Sequence, residues 1–185
     1  MPVIIWVTEG TWRAAVDAAR TLAPPGSEFT LLHVTGDDVA QAAHGAFAGL
    51  LGRGHRERDP GDRLEELSVT AADELLEAAG DRLGVPASVT RRHGRLEHEV
   101  VRAAEHADLL ICARDGDRER LGPRSLGHAA RFVVDHAPCP VLVVWPQEAP
   151  GLDSMPPPPP HKPPKKPNPP KPPKPPKKGK PHKRQ

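Results

Sequence analysis

The residues most conspicuously suited to chemistry lie at the end of the chain. Lys162, Lys165, Lys166, Lys171, Lys174, Lys177, Lys178, Lys180, Lys183 and Arg184 stand among 15 prolines between Pro156 and Pro181. Proline at this density favours extended polyproline II, about 3.1 Å per residue. Lysines separated by Pro-Pro then project around a semi-rigid cationic rod. The chemistry open to such a rod is attraction to polyanions that depends on salt and not on sequence. No aromatic side chain offers a stacking platform for bases, and no large apolar one follows Met155 to insert into a membrane. Nucleic acid phosphates, anionic head groups, an acidic protein and the rest of this chain all fit as partners. A solubilising tail without a fixed partner fits equally.

Elsewhere the chemistry-bearing residues do not assemble into a catalytic pattern. His93 and His98 are five apart, with Glu97 and Glu99 nearby, which is not the i, i+4 spacing of a helical metal pair. Ser125 lacks a G-x-S-x-G elbow, and no Ser-His-Asp or Cys-His arrangement can be argued from spacing. There is no Walker A loop and no G-x-G-x-x-G; Gly52-Arg53-Gly54 is an isolated pair. Cys112 and Cys139 sit inside or beside apolar runs. They read as small buried hydrophobes of a reduced, cytoplasmic protein. No leader pattern opens the chain, and no stretch approaches the ~20 apolar residues of a spanning helix. These residues do not describe an enzyme.

Charge divides the chain. Residues 1–150 carry 16 arginines and no lysine against 23 acidic residues, a net of −7, whereas residues 151–185 set ten cations against Asp153, a net of +9. The division predicts a folded domain over 1–148 and a disordered basic, proline-rich tail over 149–185.

The body must position whatever site exists. Val3–Val7, Phe29–Val34, Asp108–Cys112 and Val141–Trp145 are short apolar runs that read as strands, and Ala87–Arg91 is a more polar one suited to a sheet edge. Helical spacing separates them: Trp12, Ala15, Val16, Ala19 and Leu22; an alanine-rich segment from Asp37 to Leu51; Leu64, Leu67, Ala71, Leu75 and Ala78; Leu96, Val100, Val101 and Ala104; and Leu126 to Ala137. A charged loop is expected at Gly52–Asp62. Alternating strands and helices predict an α/β fold, a doubly wound five-stranded parallel sheet with helices on both faces. Ligands on such sheets sit at strand carboxyl ends where the winding reverses, which points to the loops after Val7, Val34 and Cys112.

Ala107-Asp108-Leu109-Leu110-Ile111, the string from His136 through Pro138-Cys139-Pro140 to Val144, and Thr30–Val34 together resemble the universal stress protein family. The resemblance implies strand order 3-2-1-4-5, a regulatory stress-response role without catalysis, and a homodimer formed through Val141–Trp145. Pairing would also protect an apolar edge from aggregation. For the nucleotide-binding branch it implies ATP or another adenine nucleotide, an Asp after the first strand, and a G-x2-G-x9-G-[ST] loop over the phosphates. Here Thr8 stands where that Asp belongs and Ala113 where the first glycine belongs. Gly116 and Gly127 match the later glycines with ten residues between them, and His128 replaces the final hydroxyl. Val34 would line the adenine, Ser125 would offer a displaced hydroxyl, and Arg114, Arg118, Arg120 and Arg124 would attract phosphate. A degenerate site is therefore expected. Loop glycines serving turn geometry alone remain the competing expectation, and His128, at a helix start that disfavours its charged form, is expected to face solvent.

Overall fold

The computed structural model describes residues 1–36 and 60–157. The helix expected between Asp37 and Leu51, most of the charged loop at 52–62, and the lysines from Lys162 onward lie outside the described residues. Five strands, β1 (Pro2–Trp6), β2 (Glu28–Thr35), β3 (Ala87–His93), β4 (Leu109–Ala113) and β5 (Val141–Val144), alternate with helices. The helices are α1 (Trp12–Leu22), α2 (Pro60–Leu83), α3 (Leu96–Ala103) and α4 (His128–His136). The sheet order is β3-β2-β1-β4-β5 with every pairing parallel.

The continuous apolar runs follow from burial on both faces. Val3, Ile5 and Val7 turn toward α1 and α2, meeting Trp12, Val16, Leu76 and Leu83. Ile4 and Trp6 turn the other way, toward α3 and α4, and pack with Val100, Ala104, Ala130 and Val133. Right-handed crossovers require this split. The chain winds from β1 to β3 with helices on one face, then crosses to β4 and continues with helices on the other. Winding reverses between β1 and β4, and the crevice at their carboxyl ends is the switch point. Fully buried Ile5, Leu31, Leu76, Leu110 and Ile111 each contribute about 1.5–3 kcal/mol of transfer free energy.

Three local expectations need correction. On α2 the buried stripe is Ala72, Leu76, Ala79 and Leu83, one residue beyond the expected Ala71, Leu75 and Ala78, and Leu67 is 61% exposed. Both stripes have helical spacing; contact with β1 and β2 selects one of them. The helix also starts at Pro60, so residues 60–62 are helical and not loop. The polar strand reaches His93, two residues further than expected, because Gly94 donates its N–H to the Thr35 carbonyl (3.1 Å) and keeps β3 in register to the end of β2. It does lie at the edge of the sheet, and so does β5.

Candidate functional site

The switch point brings together the residue after β1, the end of β4 and the long loop from Arg114 to Gly127. At Thr8 the backbone carbonyl accepts from the N–H groups of Thr11 (3.2 Å) and Trp12 (3.0 Å), which starts α1. The half-buried Thr8 brings a neutral hydroxyl to the position, where a carboxylate would hold a ribose far more firmly. The preceding carbonyl, of Val7, accepts from the His33 ring at 2.9 Å. Val34 is 5% exposed in the core beneath α3, so its side chain is engaged in packing. Ala113 is likewise buried, at the end of β4.

The β4–α4 loop closes on itself. Gly116 donates to the Ser125 carbonyl (3.0 Å) and Asp117 to the Arg124 carbonyl (2.9 Å), two rungs that draw its limbs together. A Cβ at position 116 would lie 2.9 Å from both the Leu126 carbonyl carbon and the Gly127 nitrogen, so only glycine permits the approach. Ser125 is fully buried. Its hydroxyl donates to the Gly122 carbonyl (2.7 Å) and accepts from Arg114 Nη1. From sequence that hydroxyl is expected to face a phosphate; in the structure its two partners are both groups of the protein. The Arg114 guanidinium also lies over the Trp145 ring, 4.7 Å from its centroid, with Nε buried and unpartnered.

At the start of α4 the backbone N–H of Gly127 points at Asp115 and donates to its Oδ1 at 2.7 Å. A carboxylate at a helix N-terminus is favoured by the dipole and occupies the same electrostatic position as a bound phosphate. A Cβ on Gly127 would sit 2.7–2.9 Å from that carboxyl group, which gives this glycine a structural reason as well. His128, the first residue of α4, is exposed as expected. Arg118, Arg120 and Arg124 share the loop with Asp117 and Glu119. The segment 114–127 thus sets four arginines against three acids and offers little net attraction to an anion.

Beneath the loop, burial pushes the Cys112 thiol up to about 12; Cys112 and Cys139 are both free thiols. On α3, Glu97 is held below the ordinary carboxylate range, first by its own backbone N–H and then, against the desolvation that raises it, by Arg95 Nε at 2.6 Å. Among the described residues no cluster of three His, Cys, Asp or Glu side chains could hold a metal ion. Nor is any described helix long and apolar enough to cross a membrane.

Asp115, Trp145, Ser154 and Pro156 were missed from sequence. Asp115 acts twelve residues away from Gly127, a separation with no helical or strand signature. The other three belong to a return path after β5. Leu121 donates to Ser154 Oγ (3.1 Å), and a Cβ on Gly122 would lie 3.6 Å from the Pro156 ring. The chain therefore runs back against the site loop before the proline–lysine segment begins.

A doubly wound parallel sheet with a loop folded over its switch point defines an α/β domain with its crevice at the carboxyl ends of β1 and β4. The model of the universal stress protein family matches residues 7–144, and the chain belongs to that family. Solved structures agree in fold. Hypothetical protein MJ0577 aligns at 18% identity over 80% of this chain and 97% of its own, with a TM-score of 0.60. Hypothetical protein PH0823 aligns at 21% identity over 78% and 95%, with a TM-score of 0.53. A universal stress protein solved in complex with cAMP aligns at 17% identity over 80% and 98%, with a TM-score of 0.50. No curated protein sequence matches the chain significantly.

Proposed function

We propose that this protein is a non-enzymatic, dimeric regulatory member of the universal stress protein family whose nucleotide site is degenerate. The observation that carries the reading is the Asp115 carboxylate on the Gly127 N–H at 2.7 Å. A carboxylate at a helix N-terminus supports it, since a phosphate bound at that helix end would have to displace this anion against like-charge repulsion. The neutral Thr8, the packed Val34 and the committed Ser125 hydroxyl support the same conclusion. Isothermal titration calorimetry with ATP, ADP, AMP and cyclic nucleotides tests it. No saturable heat is expected at millimolar ligand, and saturable binding of any of them by the unmodified protein would overturn the reading. Dimerisation rests on β5, an edge strand with half-buried valines that gains hydrogen-bond partners by pairing with a second copy. Sedimentation velocity should give a dimer, and Val143→Lys should shift it to monomer.

The charge division supports a second reading, in which the body is a scaffold for its cationic arm. Two arms on one dimer bind a polyanion more tightly than one, because the second contact is intramolecular. Affinity for DNA or RNA should fall steeply with salt and disappear when the nine tail lysines are replaced by glutamine. Binding unaffected by either change would sink this reading.

A further inference from the structure

At the opposite end of the sheet from the site loop, two clefts join. One, of about 920 Å³, lies between the last turns of α1 and α2 and the first residues of β2 and β3, with Phe29 and Pro86 in its wall. The other, of about 480 Å³, runs between α2 and the edge strand β3, over Leu76 and Val89. Val85 and Ala87 line both, so the two form one trough around the end of α2. Val85 and Val89 remain 48% exposed in it.

The trough is acidic. Asp73, Glu77 and Asp81 recur every fourth residue along its α2 wall, which aligns them on one face, and Glu28 stands at the far end. Asp73 is paired with Arg91 at 2.5 Å. Glu77, Asp81 and Glu28 have no ion pair among the described residues, and the cations on the trough are Arg20 and Arg91. The carboxyl ends of α1 and α2 add two negative helix poles.

We propose that the chain's own proline–lysine arm, centred on Lys171–Lys178, docks in this trough. The outer edge of β3 invites strand addition, but proline has no N–H to donate, so a proline-rich occupant must lie as an extended rod with its rings on the apolar floor. In that conformation three residues make one turn. Lys171, Lys174 and Lys177 fall on one face about 9 Å apart, against about 6 Å between Glu77 and Asp81 along α2, a difference that the flexible four-carbon lysine stems take up. Reach is ample. Lys171 lies fourteen residues beyond Pro157, the last described residue, or about 43 Å extended. Crossing from β5 to β3 takes about 19 Å and the length of β2 about 26 Å, which is about 32 Å on the diagonal. The net charges of arm and body, +9 and −7, have opposite sign.

The test is carbodiimide cross-linking of the full chain, mixed with a ¹⁵N-labelled copy and read by mass spectrometry. Links from Lys171–Lys178 to Glu77, Asp81 and Glu28 are expected within single isotopic species, with loss at high salt. In Glu77→Lys/Asp81→Lys, with circular dichroism confirming an unchanged fold, the link to Glu28 should fall several-fold. Links spread over exposed carboxylates such as Glu9, Glu105 and Glu148, links mainly between isotopic species, or no links at all would overturn the proposal.

Discussion

Asp115→Ala separates a carboxylate that holds the site loop from one that merely lies near it. The Gly127 N–H to Asp115 Oδ1 bond, at 2.7 Å, is one of two side-chain ties between the ends of the β4–α4 loop, beside that of Arg114 to Ser125. Removing a carboxylate that caps a helix N-terminus costs roughly 0.5–2 kcal/mol. Asp115 is exposed, which places its contribution toward the middle of that range, about 1 kcal/mol. Gly127→Ala should cost about the same for the same reason. Its Cβ would sit 2.7 Å from Oδ1 and push the carboxylate away, while its own backbone (φ −66°, ψ 179°) accepts alanine. The double mutant should therefore lose no more than either single mutant, a coupling of about 1 kcal/mol in a double-mutant cycle. Urea unfolding followed by circular dichroism measures all four proteins. Inorganic phosphate should restore part of the stability of Asp115→Ala and leave the parent protein unchanged, since the vacated helix end becomes an anion site. Strict additivity, or an Asp115→Ala protein as stable as the parent, would refute the reasoning.

Other consequences follow from the same contacts. Gly116→Ala forces a Cβ into the Arg124 carbonyl oxygen and the backbone of Leu126 and Gly127, which cannot rotate aside as a side chain can; a loss of about 1–3 kcal/mol is expected by denaturation. Cys112, buried with its thiol pushed up to about 12, should resist iodoacetamide at neutral pH while the less buried Cys139 alkylates first, as peptide mass spectrometry would register. Glu97 is held below its ordinary value near 4.5 by its backbone N–H and Arg95. Its contribution is therefore present above that pH and lost as the pH falls through the lower folded value. Glu97→Gln should flatten the acid limb of the stability profile, and an unchanged limb would count against the contact.

The strands and the order of elements were legible because each signal is local. Val3–Val7 is apolar without interruption, the pattern of a strand buried on both faces, and Val141–Val144 keeps the same pattern at the half-buried edge of the sheet. The helical spacing from Leu126 to Ala137 and the apolar run Val141–Trp145 placed the last helix and strand to within a residue or two. Less was legible where two solutions satisfy the same local rule. On α2, Ala71-Leu75-Ala78 and Ala72-Leu76-Ala79 are both helical stripes, and packing on β1 and β2 chose between them.

The cationic arm and the acidic body are likewise properties of the sequence, since charge and proline density need no fold to be counted. The glycines at 116 and 127 could be seen, but not what they serve. Tertiary structure alone brings the Asp115 carboxylate onto the Gly127 N–H and the Ser125 hydroxyl under Arg114. It also returns Pro156 to Gly122. Each of those contacts joins residues more than ten positions apart, across a loop with no period to read. Only the closing of the loop over the switch point determines which groups meet, and so whether a phosphate has anywhere to bind.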